Sequence, residues 1–304
     1  MPVKFSSSRP IFNFNKFKGG SQPESLEILI DERDLQIQLF KHTAENRFLG
    51  IFDKQELFTL FQKYQVWQKL AGQGFHDIEL QIDLTSPPRH QVRLLAREKA
   101  QVNLLVELVV YKSSLPSKYL QGSINKSPER KLLFIEWLLL QNPTKSFTVN
   151  EKRLPGQHFS GLGLARTMMQ VLCYLCEKGH LDGLMAVPGH YHNAVIFSKA
   201  FQYLDPASQG RLAALQRDLH GYPLTMASWA VELNCIKDLR KKEYFNWFID
   251  WQVLAIEESL KQYFEAPFYR RQFERAFAEN RFQLDDLKFH SQKPRISELA
   301  EVII

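Results

Sequence analysis

The segment from Leu154 to Ala165, LPGQHFSGLGLA, constrains the fold of this chain more than any other. Its glycines Gly161 and Gly163 stand directly before Leu164–Glu177, where apolar residues recur at helical spacing. A glycine turn that opens a helix leaves backbone N–H groups unpaired, and the helix dipole adds positive potential there. The turn therefore predicts a site for a phosphate or pyrophosphate group, although a tight connection without a ligand would need the same glycines.

Strand-like segments precede this turn. Two of them, Ile78–Leu84 and Val92–Ala96, flank Pro87-Pro88, a break that predicts a hairpin-like reversal. Two further segments, Leu104–Tyr111 and Leu132–Leu140, are apolar at almost every position, as strands covered on both faces would be. The turn thus follows a series of strands, and the last of these is predicted to be buried.

Other periodic segments complete the predicted element order. Strands are predicted at Leu35–Phe40 and Leu181–Val187, and helices at Lys54–Leu70, His192–Leu204, Tyr244–Phe264 and Tyr269–Phe277. Three regions follow from this pattern: a disordered basic tail over residues 1–25, an α/β domain over 26–206, and a helical region over 207–304.

Composition limits the environment and the partners. The 39 Lys and Arg against 33 Asp and Glu give a net charge of +6, which weakly favours anionic ligands such as a nucleotide cofactor. Three cysteines are too few for a disulfide framework, and no apolar run reaches eighteen residues. We therefore expect a cytoplasmic protein without a membrane span.

The element order around the turn resembles the GNAT superfamily of acyl-coenzyme A-dependent N-acyltransferases. In that family the loop carries Gln or Arg, two residues, Gly, one residue, and Gly or Ala. Here His158, Gly161 and Gly163 occupy the matching positions, with His158 in place of Gln or Arg. The resemblance covers roughly residues 35 to 205, and it implies an α/β fold with a mixed, mostly antiparallel central sheet flanked by helices.

The resemblance also implies a binding site for acetyl-coenzyme A or another acyl-coenzyme A, and an amine-bearing small molecule or protein as the acceptor. The family's strand before the loop separates from its neighbour and pairs with the pantetheine arm. Asn193 lies where the family's next helix commonly begins. The implied cofactor-binding residues are Leu138, Leu139, Leu140, His158, Phe159, Ser160, Gly161, Leu162, Gly163 and Asn193.

Two residues are candidates for catalysis. Glu136 lies on an otherwise apolar strand, where burial would raise its pKa and suit it to act as general base, as in some relatives. The alternative is a structural carboxylate paired with Arg or Lys. The general-acid Tyr of the family has no clear equivalent here, because Phe197 and Ser198 occupy its region, and Tyr203 stands slightly further along.

Three other interpretations remain. Cys173, Cys176 and His180 could bind zinc, although cysteines within an apolar helix are more often core residues. The aromatic and basic residues after Pro206 could contact nucleic acid, but an aromatic core is favoured, so nucleic acid is not an expected partner. The imperfect motif also allows a binding or adaptor module without turnover. The acceptor and the oligomeric state are not specified by the sequence.

Overall fold

Four long antiparallel strands make up most of the first part of the computed structural model. The structure describes residues 47–98, 101–115, 120, 129–145, 147 and 153–301, with the side chains of the last helix described up to residue 296. The predicted basic tail and the predicted strand Leu35–Phe40 lie outside these residues.

The elements of the first part are α1 (Lys54–Lys63), α2 (Val66–Ala71), β1 (Ile78–Ser86), β2 (Arg89–Glu98), β3 (Gln101–Leu115), β4 (Arg130–Asn142), β5 (Ser160–Gly161), α3 (Ala165–Lys178) and β6 (Gly183–Ala186). The elements of the second part are α4 (Tyr191–Phe197), β7 (Gln202–Tyr203), α5 (Pro206–Asp218), α6 (Leu224–Glu232), β8 (Ile236–Asp238), β9 (Glu243–Tyr244), β10 (Gln252–Ala255), α7 (Glu258–Glu265), α8 (Pro267–Glu279), β11 (Phe282–Leu284) and α9 (Asp286–Glu301).

The main sheet has the order β1-β2-β3-β4-β6-β10-β7, with β5 paired to the end of β4. Its one parallel pair along this order is β4 with β6, and the other neighbours are antiparallel. The predicted α/β class with a mostly antiparallel sheet and flanking helices is therefore confirmed. A smaller sheet, β11-β8-β9, lies in the second part of the chain.

Apolar packing covers one face of the main sheet along most of its length and the other face mainly over β4, β6 and β10. The largest cluster joins α1, α2 and α3 to one face through residues such as Leu108, Leu133 and Leu172. On the other face, α7 and α8 pack over Leu132, Phe134 and related residues. A third cluster fills the part formed by α4, α5, α6 and the smaller sheet. The β4–β6 pair lies between the first two clusters.

Two predicted helices differ from the observed ones, one by a break in its interior and one at its end. The predicted helix Lys54–Leu70 is divided into α1 and α2, because Gln65 adopts a left-handed conformation with φ of 60°. The predicted helix His192–Leu204 ends as α4 at Phe197, and Gln202–Tyr203 instead forms the edge strand β7. Tertiary pairing with β10 thus overrides the helical pattern at the end of this segment.

The region over 207–304, predicted to be dominated by helices, holds five helices among its described residues but also short strands. This region also contains β8, β9, β10 and β11, and β10 inserts between β6 and β7 of the main sheet. The predicted helix Tyr244–Phe264 is helical only from Glu258 onward. Because the sheet is completed across residue 206, this boundary does not separate two domains, and all described residues belong to one compact unit of the chain.

Candidate functional site

A gap opens in the main sheet where β4 and β6 separate. The two strands pair over Leu132–Ile135 and Gly183–Ala186. Beyond this ladder β6 ends, whereas β4 continues to Asn142. Among the described residues, positions 138–140 of β4 pair with β3 alone, so the backbone groups that alternate toward the other side face the gap.

A β-bulge marks the point of separation. Ile135 pairs with Val110 and Trp137 pairs with Val109, which leaves Glu136 as the extra residue on β4. Bulges bend and twist the strand that carries them and commonly lie beside functional sites. The bend directs the last residues of β4 away from the line of β6.

The glycine turn is attached to the end of β4. Ser160 and Gly161 form β5, which pairs with Asn142 and Gln141 of β4. Gln73, just after α2, donates from its side-chain amide to the Leu162 carbonyl over 2.6 Å. The Gln73 side-chain oxygen also accepts a hydrogen bond of 3.2 Å from the Asn142 amide. These contacts hold the turn at one edge of the gap.

The turn opens α3 with free space around its glycines. Gly163 has φ of 66°, and a Cβ atom at Gly161 or Gly163 would meet no other atom within 4 Å. Leu164 is the N-cap, and it makes no side-chain hydrogen bond to the first turn of this 14-residue helix. The side chain of Arg166 is exposed in that first turn. The N–H groups of the first turn have no partner within the helix, which favours an anion at this helix start.

The side chains of the predicted turn residues differ widely in exposure. Phe159 is exposed, His158 is half-buried, and Leu162 is buried in the main core. The Arg153 guanidinium donates to the His158 carbonyl over 3.0 Å, which fixes the backbone before β5. Ser160 is buried, and in the described structure its hydroxyl oxygen has no hydrogen-bond partner. The turn thus offers its backbone groups, beside a buried hydroxyl that has no partner in the described structure.

The predicted burial of Glu136 is wrong. Its side chain is one-third exposed, and it accepts a hydrogen bond of 2.5 Å from Nε of Arg89 on β2. The β-bulge lets this carboxylate reach the neighbouring hairpin instead of entering the core. Glu136 is therefore a carboxylate paired with an arginine, which was the structural alternative to its role as a buried general base.

Tyr203 lies far from the gap. It is on β7, which β6 and β10 separate from β4 in the sheet order. Its side chain is 0% exposed, and burial, together with the nearby Asp250, raises the pKa of its phenol. A general acid must contact the reacting group. This position does not support the predicted role of Tyr203.

The interpretations involving zinc and nucleic acid find little support in the packing. The Cys176 thiol is buried and donates to the carbonyls of Leu181 and Gly183, and burial raises its pKa to about 12. No cluster of three or more residues suited to hold a metal occurs in the described part of the chain. Several of the aromatic residues after Pro206 are buried in cores, among them Trp229, Tyr263, Phe264 and Tyr269.

A histidine–carboxylate pair on the other side of the gap was not predicted. His190 directly precedes α4, shortly after β6 ends, and its Nδ1 lies 3.0 Å from Oε2 of Glu232 on α6. This hydrogen bond lowers the pKa of Glu232 below its ordinary value. The two histidines His190 and His192 were visible in the sequence, but no local signal connects either to a glutamate some forty residues later. Asn193, which directly follows His192, is partly buried in α4.

The segment from Arg153 to Gly161 connects the two sides of the gap. Its end pairs with β4, as described above, while its beginning lies against α6 and His190. The indole N–H of Trp229 donates to the Arg153 carbonyl over 2.8 Å. A Cβ at Gly156 would lie 3.0 Å from Nε2 of His190. One continuous segment thus contacts the end of β4 at its end and the surroundings of the His190–Glu232 pair at its beginning.

Comparison with known proteins adds little to this geometry. No protein-family model and no curated protein matches the chain. Among solved structures, a chain from the crystal structure of a KacTA–DNA complex is 15% identical, with 53% of this chain and 80% of that chain covered and a TM-score of 0.26. A likeness of this degree carries no argument about fold or function. Within the described residues, no helix is both long and apolar enough to span a bilayer.

Proposed function

We propose that this chain is an acyl-coenzyme A-dependent N-acyltransferase with a GNAT-like core. The observation that carries the proposal is the parallel β4–β6 pair, which separates next to a glycine turn that opens α3. This combination provides an anion site and a row of free backbone groups side by side. A long cofactor with a pyrophosphate and an amide-bearing arm requires both.

The cofactor would lie along the gap. Its pyrophosphate would accept hydrogen bonds from the N–H groups between Gly161 and the first turn of α3, where the glycines leave open space. Its pantetheine amides would pair with backbone groups of Leu138–Leu140 that do not face β3. The buried Ser160 hydroxyl, beside this turn, is a further group able to bind the phosphate region.

Acyl transfer requires a hydrogen-bond donor to the thioester oxygen, a base for the amine, and correct positioning of both reactants. Acyl-coenzyme A supplies a thioester, whose carbonyl carbon accepts the attacking nitrogen. An N–H group of β4 facing the gap would stabilise the negative charge that develops on the thioester oxygen. A base must accept a proton from the amine. The two sides of the gap must also hold the amine and the thioester in contact.

Isothermal titration with acetyl-coenzyme A tests the cofactor site. We expect binding by the full chain, and a loss of affinity of about 100-fold or more in Gly161→Glu, because the new carboxylate would repel the pyrophosphate. Gly221→Glu is the matched control, since a side chain there also meets no atom within 4 Å but lies outside the turn. An unchanged affinity in Gly161→Glu, or no heat from the wild-type protein, would contradict the proposal.

A binding module without turnover is the second candidate function. It is favoured by the positions of Glu136, which is paired with Arg89, and of Tyr203, which is buried. The two candidates differ in thiol release. Appearance of free coenzyme A when acetyl-coenzyme A is mixed with protein and amines would exclude the non-catalytic module. Tight binding without release would support it.

A further inference from the structure

We propose that His190 is the general base of this site and that Glu232 is the residue that positions it. The inference rests on the proposed acyltransferase function and adds the group that accepts the proton of the amine. Neither predicted catalytic residue supplies such a group, because Glu136 is ion-paired and Tyr203 is inaccessible.

The hydrogen bond between the two side chains defines the tautomer. Glu232 has a lowered pKa and is ionised near neutral pH, so that its carboxylate can only accept. Nδ1 of His190, 3.0 Å away, must therefore carry the proton and donate it. In the neutral ring, the lone pair is then on Nε2, the atom on the far side of the ring. An imidazole held in this way has the form required of a base.

The His190 side chain is partly exposed, and its Nε2 faces Gly156. About one-third of the His190 side chain is exposed. Gly156 faces the same nitrogen, and a Cβ at this position would lie 3.0 Å from Nε2. Gly156 also has φ of 70°, a conformation that other residues rarely adopt. Glycine at this position thus keeps side-chain atoms away from the basic nitrogen.

Glu232 is the carboxylate that bonds to the His190 ring, and other titratable groups lie near it on α4 and on the segment from Arg153 to Gly161. On α4, His192 stacks on His190 with ring centroids 5.4 Å apart, and burial lowers its pKa to about 4, so it is neutral near pH 7. On the segment that covers the pair, Arg153 directs its guanidinium to the carbonyls of Gln157 and His158. His158 is the other titratable residue of that segment.

The position of His190 suits the geometry of transfer. Ile135 and Ala186 are the last paired residues of β4 and β6, so the chains that follow them form the two sides of the gap. Glu136 and Trp137 follow on one side, and the loop to His190 follows on the other. A thioester bound along β4 would therefore face an amine that approaches from the side of His190.

The proposed acyl transfer uses these groups, with each proton and each broken bond accounted for. A neutral amine attacks the thioester carbonyl carbon as Nε2 of His190 removes one of its protons, so that a C–N bond forms. The C–S bond then breaks, and coenzyme A leaves as a thiolate. The imidazolium returns the proton to this sulfur, which gives the amide, free coenzyme A thiol and the neutral ring. Water in place of the amine would give the carboxylic acid by the same route.

Nitrogen-15 NMR of the histidine side chains tests the tautomer without any acceptor. The signals of His190 are assigned by their loss in His190→Gln. We expect protonated Nδ1 and unprotonated Nε2 in the full chain, and a mixture of tautomers in Glu232→Gln, whose amide can both donate and accept. A proton on Nε2 in the wild-type protein would overturn the inference.

Thiol release from acetyl-coenzyme A tests the catalytic role, with water alone and with spermidine, lysine or a dipeptide as acceptor. We expect His190→Ala to lower the rate about 100-fold or more, with the affinity for acetyl-coenzyme A changed less than about two-fold. Added imidazole should restore part of the rate, which a merely misfolded variant would not show. His220→Ala, an exposed histidine after α5, should keep the full rate.

The outcomes distinguish this inference from the proposed function. Absence of acetyl-coenzyme A binding by the wild-type protein would remove the acyltransferase function itself. Binding without thiol release, or full activity in His190→Ala, would overturn the role of His190 and leave the cofactor site standing.

Gly156→Ala provides a second, milder variant. Its new methyl group would crowd Nε2, so we expect thiol release to fall about ten-fold while the affinity for acetyl-coenzyme A is kept. Gly74→Ala imposes a similar backbone strain, since Gly74 has φ of 95°, but a Cβ there meets no atom within 4 Å. Equal rates in the two variants would contradict the proposed access to Nε2.

Discussion

The two halves of the main sheet are built in different ways. Strands β1 to β4 are 9, 10, 15 and 13 residues long and follow one another along the chain. Strands β6, β10 and β7 have 4, 4 and 2 residues and come from separate segments. Long neighbouring strands are stabilised by their own ladders, whereas short strands require support from other elements.

Side chains from distant helices provide that support in the second half. The Tyr269 hydroxyl on α8 donates to the Tyr203 carbonyl over 2.5 Å, and the Tyr263 hydroxyl on α7 donates to the Leu204 carbonyl over 2.8 Å. Gln252 of β10 reaches the Ala194 carbonyl of α4 over 3.3 Å. The candidate site lies where the two halves join, so one side of the gap rests on the long strands and the other on this packed assembly.

Gly183→Val is expected to have the largest effect on the stability of the second half of the sheet. A Cβ at Gly183 would collide with the Leu254 carbonyl on β10. We expect a loss of about 3 kcal/mol in the free energy of unfolding, measured with urea, because overpacking forces the two backbones apart. Gly221→Val, at an open position, should leave stability nearly unchanged. Equal midpoints for the two variants would show that β6 and β10 do not depend on close approach.

Acid should weaken the second half in a defined window. Burial lowers the pKa of His192 to about 4, whereas an unfolded histidine titrates near 6.5. Between pH 6.5 and about pH 4 the unfolded chain therefore binds a proton at this histidine and the folded chain does not. The free energy of unfolding falls as the pH is lowered through this range. The full loss is about 3 kcal/mol. His192→Phe should flatten this part of the pH profile, and a profile unchanged by this substitution would contradict the assignment.

Tyr269→Phe should have a smaller effect. The variant removes the hydroxyl that bonds to the Tyr203 carbonyl and leaves a buried acceptor without that donor. We expect a loss of about 1 kcal/mol, with faster amide exchange at β7 than at β2 and β3. Tyr244→Phe, whose exposed hydroxyl bonds to Asp285, is the comparison variant and should cost less. Uniform acceleration of exchange across the sheet would argue that its two halves unfold together.

The smallest effect is expected in the first half, from Arg97→Ala. Arg97 on β2 pairs with Glu79 on β1, but 57% of its side chain is exposed. Such surface pairs contribute at most about 1 kcal/mol, and added salt should reduce the difference between variant and wild type. A loss above about 2 kcal/mol would mean that the long strands depend on their surface ion pairs as well as on their ladders.

The local signals in the sequence predicted the first half well. Ile78–Leu84, Val92–Ala96, Leu104–Tyr111 and Leu132–Leu140 all lie within observed strands, and Pro87-Pro88 marks the hairpin between β1 and β2. The helix after the glycine turn was also predicted within one residue of α3. These elements could be found because their hydrophobic period and their turn residues stand next to each other in the chain.

The second half could not be found in this way. The predicted helix from Tyr244 contains apolar residues at helical spacing, among them Trp247, Trp251, Val253 and Leu254. Its part Gln252–Ala255 instead forms the strand β10, because β6 and β7 lie on either side of it. The site shows the same limit. Glu136 contacts Arg89 because of a β-bulge, and Glu232 contacts His190 although α4 and α5 separate them along the chain. Neither contact can be predicted from the spacing of residues in the sequence.

The sequence by itself thus determined the long strands, the glycine turn and the helix that the turn opens, because each depends on residues close together in the chain. Tertiary structure alone decided that β4 separates from β6, that Glu136 is paired rather than buried, and that His190 meets Glu232. Those outcomes depend on contacts between segments far apart in sequence, where the free energy comes from packing and pairing rather than from local preference.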